Sequence, residues 1–247
     1  MSGSLRLEGV RVSLGARLVL DDLSLEVPAG ACLALLGESG SGKTTVLRTI
    51  SGFVQPQHGR VWLGGVDVTE LPPERRHLGL IHQQFLLFPH LTVSGNVAFG
   101  MPYRGIGRQR QRERVHELLE LLGLQGLEQR YPHQLSGGQQ QRVAIARALA
   151  VEPDVLLLDE PLNSLDRSTR LRLLAELEAL RRRTAPTMLY VTHDWDEAER
   201  IADEVGLLHA GRILQSGSLA SLQTRPASPA VAAFFGLPAP VACLTND

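Results

Sequence analysis

The segment "GESGSGKTT", residues 37–45, constrains the fold of this chain more than any other stretch. It follows the apolar run "CLALL", which predicts a buried parallel strand, and precedes a helical pattern that begins at Lys43. Residues 37–44 match G-x-x-x-x-G-K-[ST] at every fixed position. Glycines let such a loop aim its backbone N–H groups inward, and the helix adds the positive end of its dipole. The sequence therefore predicts a strand, loop and helix that bind the β- and γ-phosphates of a nucleotide.

Lys43 is the only lysine among the 25 lysine and arginine residues of the chain. A compact ammonium group on a flexible stem suits the inside of a closed phosphate loop, whereas a guanidinium is planar and wider. We therefore predict that Lys43 lies between the phosphates. The other loop residues predicted to bind the nucleotide are Gly37, Glu38, Ser39, Gly40, Ser41, Gly42, Thr44 and Thr45.

The run "DVLLLDEP" predicts a second buried strand over residues 155–158, with Asp159 at its carboxyl end. Parallel sheets bind ligands at that end, so Asp159 and the Thr44 hydroxyl are predicted to bind Mg²⁺. Glu160 follows directly and is predicted to orient or deprotonate the attacking water. ATP and Mg²⁺ are the expected substrate and cofactor.

Composition bounds the remaining possibilities. A chain of 247 residues with 43% hydrophobic residues can build one large α/β domain, or a core with a subdomain. The net charge of -1 argues against a general polyanion binder, so no nucleic-acid partner is expected. Cys32 and Cys243 have neither disulfide nor metal-site spacing. No signal peptide is recognised, and no apolar run reaches the ~18 residues that span a bilayer.

A second glycine-rich segment, "LSGGQQQR", begins at residue 135. Ser136 is predicted to start a helix with Gly137 and Gly138 in its first turn. Glycines cost helix stability, so their presence there indicates close approach by another group. A hydroxyl, two glycines and a helix N-terminus form a further phosphate site. Because Lys43 already holds the γ-phosphate, this segment is predicted to bind the nucleotide of another subunit.

These motifs together resemble the ATP-binding subunits of ABC transporters, over about residues 5–225. Residues 37–45 resemble the Walker A motif, residues 155–161 the Walker B motif, and "LSGGQ" the signature motif of that family. The resemblance implies an α/β fold with a P-loop NTPase (RecA-like) core. It also implies an N-terminal antiparallel β-subdomain and an inserted α-helical subdomain at about residues 84–150.

Three further segments resemble named loops of the family. "LGLIHQQFLLFPHLTV" resembles the Q-loop, with Gln83 at the glutamine position and Gln84 as a one-residue alternative. "LNSLD" resembles the D-loop and ends at Asp166, and "LYVTHDWDEA" places His193 as the switch histidine. Asp166 is predicted to open a helix over Arg167–Arg183, with a core stripe at Leu171, Leu174 and Leu177.

The resemblance implies a head-to-tail pair of ATP-binding subunits that closes on ATP. Each nucleotide would lie between the Walker motifs of one subunit and Ser136, Gly137, Gly138 and Gln139 of the other. Glu160 and His193 would be catalytic, with His193 donating a hydrogen bond to the γ-phosphate. Gln83 would contact the metal, and Asp166 would lie at the subunit boundary.

The loops resemble most closely those of importer subunits for iron(III), polyamine, maltose, sulfate or thiamine. The expected partners are a second copy of the chain, an integral membrane permease and a substrate-binding protein. Residues 85–91, "FLLFPHL", would contact the permease, unless they pack inside the helical subdomain. The expected location is the cytoplasmic face of the inner membrane, as a peripheral subunit. Residues 1–225 would form the ATP-binding domain, and residues 226–247 resemble a linker to a β-barrel regulatory domain that this chain lacks.

Two other classes compete with this interpretation. A soluble ABC ATPase acting in translation or DNA repair carries a second ATP-binding half or a long coiled-coil insertion, and the chain shows neither pattern. A GTPase commonly recognises guanine with Asn-Lys-x-Asp, and the only lysine here is Lys43.

One position departs from the family pattern. Related subunits stack adenine on an aromatic residue near the first strands, where this chain has Leu14. No Phe, Tyr or Trp precedes Phe53. Arg11 or Arg17 could stack a guanidinium on the base instead. We therefore predict modest ATP affinity and weak discrimination between ATP and GTP.

Overall fold

The computed structural model describes residues 3–163 and 165–238. In those residues the strands are β1 (Leu5–Leu14), β2 (Arg17–Val27), β3 (Cys32–Leu36), β4 (His58–Leu63), β5 (Val66–Asp67), β6 (Leu78–Ile81), β7 (Val155–Asp159), β8 (Thr187–Val191), β9 (Glu204–His209) and β10 (Arg212–Gly217). The helices are α1 (Lys43–Ile50), α2 (Val93–Ala98), α3 (Arg108–Leu121), α4 (Gly137–Ala150), α5 (Arg167–Thr184), α6 (Trp195–Ile201), α7 (Leu219–Thr224) and α8 (Pro229–Phe234).

The N-terminal strands form an antiparallel sheet in the order β2-β1-β4-β5. Apolar side chains of β1, such as Leu5 and Leu7, alternate with more exposed ones, so one face of the sheet packs on the protein core. The β1–β2 hairpin turns directly after Leu14, which places that residue at its tip.

The second sheet has the strand order β10-β9-β3-β8-β7-β6, and only β10 runs antiparallel to its neighbour. The carboxyl ends of the five parallel strands therefore share one edge. The loops that follow β3, β8, β7 and β6 lie side by side there. This order brings the phosphate loop next to His193, then Asp159 and Glu160, and then residues 82–84.

Both faces of this sheet are buried, as expected for parallel strands. Along β7, Leu156 and Leu158 pack with the apolar residues of α4 and α5. Val155 and Leu157 point the other way and pack with α1 and the N-terminal sheet. Because successive side chains of β7 point to opposite faces and both faces are buried, the sequence of the strand is a continuous apolar run.

The helices α2, α3 and α4 lie between β6 and β7 in the chain, within the range predicted for the helical subdomain. The buried Asn96 side chain holds the preceding loop, because its amide donates to the carbonyls of Phe88, Leu91 and Thr92 and accepts the N–H of Phe88. Arg147 of α4 donates to the carbonyls of Leu86 and Phe85 in the same loop. Loop 85–91 is therefore fixed to the helices while Leu86 stays 55% exposed.

One core prediction for α5 was wrong. The sequence indicated an apolar stripe at Leu171, Leu174 and Leu177, but Leu171 is 49% exposed. The buried leucines of the helix are Leu173, Leu174, Leu177 and Leu180. Because three residues fall about 60° short of a full turn, repeated steps of three drift around the helix axis, and the buried face follows steps of three and four.

The C-terminal segment packs against the core. In α8, Val231 is fully buried, and Phe235 is 6% exposed within a third apolar cluster that includes β3 and β9 residues. The Trp195 ring of α6 lies 5.1 Å from the Phe235 ring. The stretch predicted to resemble a linker therefore contains a packed helix at Pro229–Phe234, and residues 239–247 lie outside the described residues, as does Cys243.

Candidate functional site

The phosphate loop connects β3 to α1 and encloses Lys43, which is 7% exposed. Its Nζ atom donates to the carbonyl oxygens of Gly37 at 2.7 Å and Glu38 at 3.0 Å. Burial lowers the pKa of Lys43, and the nearby charges of Glu160 and Asp159 oppose that shift. The ammonium group is therefore held inside the loop and close to both carboxylates.

The glycines of the loop are required by close backbone contacts. A Cβ atom at Gly37 would lie 2.3 Å from the carbonyl oxygen of Leu208, on β9. Gly42 has φ of 113°, and a Cβ there would lie 2.9 Å from the Leu20 side chain, on β2. Both sheets thus shape the loop, and only glycine fits at these positions.

The loop also contains a buried polar atom that fits a phosphate ligand. Ser41 Oγ is buried and has no hydrogen-bond partner among the described residues. Buried hydroxyls normally have partners, so this hydroxyl fits a group that binds a ligand oxygen. With the helix N-terminus at Lys43, the donor set matches a phosphate group.

Two clefts meet at Thr44, which lines both. The first has a volume of about 370 Å³ and is lined by Leu14, Arg17, Val19, Ser39, Gly40, Gly42, Lys43, Thr44, Thr45 and Glu160. The second has a volume of about 390 Å³ and is lined by Thr44, Leu47, Arg48, Ser51, Phe53, Val54, Leu80, His82 and Asp159. Thr44 and Asp159 therefore line the same cavity, and a hydroxyl and a carboxylate are oxygen ligands of the kind that Mg²⁺ prefers.

Asp159 is the last residue of β7 and is partly buried. Burial and the charge of Glu160 raise its pKa, while His82, Lys43 and Arg48 act in the opposite direction. A bound cation would stabilise the ionised form of this carboxyl group.

His82 is a residue of this cleft that the sequence analysis did not identify. Burial lowers its pKa, and the nearby charge of Asp159 opposes that shift. Gln83 and Gln84 follow it and are both exposed, and neither lines the two clefts described above. The contact of Gln83 with a metal stays a prediction. His82 directly follows β6, which ends at the binding edge of the sheet, and this position could have identified it as a site residue from the sequence.

Glu160 adopts a left-handed backbone conformation with φ of 43°. Its N–H donates to the Val191 carbonyl at 2.9 Å, which ties the end of β7 to the end of β8. Its Oε2 atom accepts a hydrogen bond from Asn163 Nδ2 at 2.8 Å and lies 3.5 Å from His193 Nδ1. Two groups from different loops therefore orient this carboxylate. Asn163 was not identified from the sequence, because its role depends on the turn after β7.

The signature segment starts α4 and caps it. Ser136 Oγ accepts the N–H of Gln139 at 3.3 Å, and Gln139 Oε1 accepts the N–H of Ser136 at 2.9 Å. Ser136 and Gly137 are exposed, so this helix end faces outward. Neither cleft at the phosphate loop is lined by residues 136–139.

Packing within the chain gives a structural reason for the glycine at position 138. It is buried, and a Cβ atom there would lie 3.2 Å from Thr169 Cγ2 and 3.6 Å from Leu173 Cδ1, both on α5. α5 therefore packs closely against Gly138, whereas Ser136 and Gly137 are exposed. The binding of another subunit's nucleotide by this segment stays a prediction.

Asp166 is the N-cap of α5. Its Oδ1 atom accepts the N–H groups of Ser168 and Thr169, each at 3.0 Å, and the Ser168 hydroxyl at 2.8 Å. These bonds lower the pKa of Asp166 well below its usual range. The side chain thus orders the loop before α5, and its predicted place at a subunit boundary stays a prediction.

The hairpin tip brings Leu14 and Arg17 into the first cleft, beside the phosphate loop. Leu14 is 46% exposed. Arg11, the other candidate to stack on a base, forms an ion pair with Asp21 at 2.9 Å, and Arg212 contacts the same carboxylate. Arg17 is therefore better placed than Arg11 to cover a nucleotide base.

We expect Leu14→Tyr to bind ATP more tightly by about 1–3 kcal/mol, because a stacked ring contacts the base better than a leucine. Wild type should discriminate weakly between ATP and GTP, since neither Leu14 nor Arg17 reads the edge of the base. Calorimetric titration of both proteins with each nucleotide in Mg²⁺ measures this. Unchanged ATP affinity in the variant would place the base elsewhere.

A buried lysine in a glycine loop, with two carboxylates and a histidine at the same edge of a parallel sheet, defines a P-loop nucleoside triphosphatase. Residues 20–163 match the family model described as "ABC transporter". The chain belongs to the ABC transporter family, and the predicted fold class and family are confirmed.

Similar proteins support this assignment. The chain is 47% identical over 234 residues to the Fe(3+) ions import ATP-binding protein FbpC of Rhizobium etli, which covers 95% of this chain and 66% of that protein. It is 45% identical to a protein of Chlorella vulgaris named "Probable sulfate/thiosulfate import ATP-binding protein CysA", covering 95% of this chain and 99% of the other. A solved dimeric ATP-binding cassette in a post-hydrolysis state, bound to ADP and Pi, is 30% identical with a TM-score of 0.74. That likeness covers 87% of this chain and 98% of the cassette.

Proposed function

We propose that this chain hydrolyses ATP as the nucleotide-binding subunit of an ABC importer, in a closed dimer of two copies. The observation that carries the proposal is the division of the motifs between two surfaces. Lys43, Asp159, Glu160 and His193 share one edge of the sheet, whereas the start of α4 faces outward and lines neither cleft. A second copy that faces the first would supply its α4 N-terminus to the open side of the nucleotide, and twofold symmetry would complete both sites.

In this proposal Lys43 and the N–H groups of the loop hold the β- and γ-phosphates of ATP. Thr44 and Asp159 would hold Mg²⁺, which neutralises phosphate charge when bound. Glu160, oriented by Asn163, positions the attacking water and accepts its proton. His193 donates a hydrogen bond to the γ-phosphate from its place 3.5 Å from Glu160. In the second copy, Ser136 accepts one bond from its own helix and keeps its hydroxyl hydrogen to donate.

A partner in the membrane is supported by the exposed apolar side chains beside loop 85–91. Leu86, Phe99 and Tyr103 are 55%, 41% and 81% exposed. The Phe88 ring lies 4.1 Å from Phe99, which in turn lies 6.0 Å from Tyr103. We infer that a permease covers this surface, at the cytoplasmic face of the inner membrane, and that a substrate-binding protein delivers the solute. No helix in the described part of the chain is long and apolar enough to cross a bilayer.

The transported solute is a property of those partners. The two relatives named above carry different substrates in their names, Fe(3+) and sulfate or thiosulfate. The importer assignment therefore rests on relatives, and the dimer assignment rests on the two surfaces.

The dimer is tested by gel filtration of Glu160→Gln with ATP and Mg²⁺. We expect this variant to bind ATP, hydrolyse it very slowly and elute as a dimer, because the closed state is not released by hydrolysis. Adding Ser136→Arg should return it to a monomer, since the arginine would block the contact made by α4. Ser216→Arg, on the exposed edge of β10, is the control with the same change of charge.

A Glu160→Gln, Ser136→Arg double variant that still dimerises on ATP would remove the role of the signature segment. A soluble ABC ATPase would also dimerise, so the membrane partner needs its own test. Affinity purification from solubilised membranes should recover an integral permease with this chain. Recovery of ribosomal or DNA-repair proteins instead would favour the alternative.

A further inference from the structure

A buried carboxyl group lies beside the loop that carries His193. Glu197, on α6, is 4% exposed. Its Oε2 atom accepts hydrogen bonds from Tyr190 Oη and Thr192 Oγ1, each at 2.9 Å. Tyr190 and Thr192 are also buried. Burial of a carboxyl group is costly unless it is hydrogen-bonded, so this arrangement fixes α6 to the end of β8.

The hydrogen bonds continue to the backbone on both sides of His193. Thr192 Oγ1 accepts the N–H of Asp194 at 3.0 Å, and the Thr192 N–H donates to the Leu35 carbonyl at 3.3 Å. The His193 side chain itself is 55% exposed. Hydrogen bonds thus hold the residues before and after His193. Its imidazole is exposed and lies 3.5 Å from the Glu160 carboxylate.

Asp194 is held from a third direction. Its Oδ1 atom accepts the N–H groups of Asp196 at 2.9 Å and Glu197 at 3.2 Å, which caps α6. Its Oδ2 atom lies 3.6 Å from Arg170 Nη1, on α5. The short connection between β8 and α6 therefore has fixed anchors on each side of His193.

We propose that Glu197 is a positioning residue for His193. Through Thr192 it fixes the backbone on both sides of the histidine, so that the imidazole is directed at Glu160 and the γ-phosphate site. The inference rests on the proposed hydrolysis of ATP by this chain. A catalytic group held in its productive position reduces the reorganisation needed during the reaction, and small misplacements are costly.

Two conservative variants separate positioning from a general loss of packing. Thr192→Val and Tyr190→Phe each remove one hydroxyl from the same Glu197 oxygen, but only Thr192 is bonded to Asp194. We expect Thr192→Val to lower kcat for ATP by about 10-fold or more with KM nearly unchanged, because a misplaced catalytic group costs rate. Tyr190→Phe should keep kcat near that of wild type.

Substitutions of Glu197 itself give the rescue test. Both hydroxyls donate to one oxygen, so the amide oxygen of Glu197→Gln can accept both, and this variant should keep most of the activity. Glu197→Leu should lose as much kcat as Thr192→Val. In a His193→Ala background, Thr192→Val should cause no further loss, since its effect acts through the histidine.

Hydrogen exchange in the nucleotide-free protein gives a readout that does not depend on hydrolysis. Thr192→Val and Glu197→Leu should speed exchange of the Asp194 amide, and Tyr190→Phe should leave it unchanged. Unchanged exchange in Thr192→Val, or an equal kcat loss in the His193→Ala background, would overturn the proposal. If wild type fails to hydrolyse ATP, the proposed function fails, and the exchange result still decides whether Glu197 holds this loop.

Discussion

Lys43→Arg should lose at least about 100-fold in ATP hydrolysis although the charge is kept, because a preorganised donor at a developing charge is worth that much in rate. Lys43 Nζ lies between two carbonyls of its own loop, at 2.7 and 3.0 Å, and the residue is 7% exposed. A guanidinium is planar and wider than an ammonium, so it would displace the loop backbone or leave the site. The measurement is kcat with ATP and Mg²⁺.

Lys43→Ala is the matched comparison. If the shape of the ammonium group matters, arginine should perform little better than alanine. If only positive charge is required, arginine should recover much of the activity that alanine loses. Near-normal turnover in Lys43→Arg would contradict the interpretation that the closed loop excludes arginine.

Arg76→Leu should destabilise the fold by about 3–5 kcal/mol, an effect typical of breaking a buried network around a charge. Arg76 is 3% exposed, and its guanidinium donates to four backbone carbonyls. Two of these, Thr49 and Ile50 at 2.7 Å, are at the C-terminal end of α1, and the others belong to Leu71 and Thr69. A leucine would leave these acceptors buried without donors. Chemical unfolding followed by tryptophan fluorescence measures the loss.

Arg60→Leu is the control for Arg76, since it removes the same charge from an exposed position on β4. The Arg60 side chain is 64% exposed, and its ion pair with Asp67 has a length of 3.9 Å. We therefore expect the free energy of unfolding to change by no more than about 0.5 kcal/mol. Equal losses in the two variants would show that overall charge, rather than the buried hydrogen bonds of Arg76, sets stability.

The sequence by itself determined the parts of the site that depend on neighbours in the chain. The strand Cys32–Leu36, the glycine loop and the helix start at Lys43 follow from apolar continuity and backbone requirements within about twenty residues. The helix starts after Ser136 and Asp166 also agree with the structure, because a capping side chain bonds to the next turn of its own helix. Strand order could then be inferred only through resemblance to a family.

The tertiary structure decided which side chains meet across elements. His82 lines the cleft with Asp159, because the neighbouring strands β6 and β7 end at one edge of the sheet. Gly138 packs closely against α5, and Arg11 forms an ion pair with Asp21, and neither contact follows from the sequence pattern. The residue type and its local spacing predict which kinds of group a side chain is able to bind. Which of its possible partners it binds depends on residues far away in the chain, and only the packing of the sheets and helices brings those residues near.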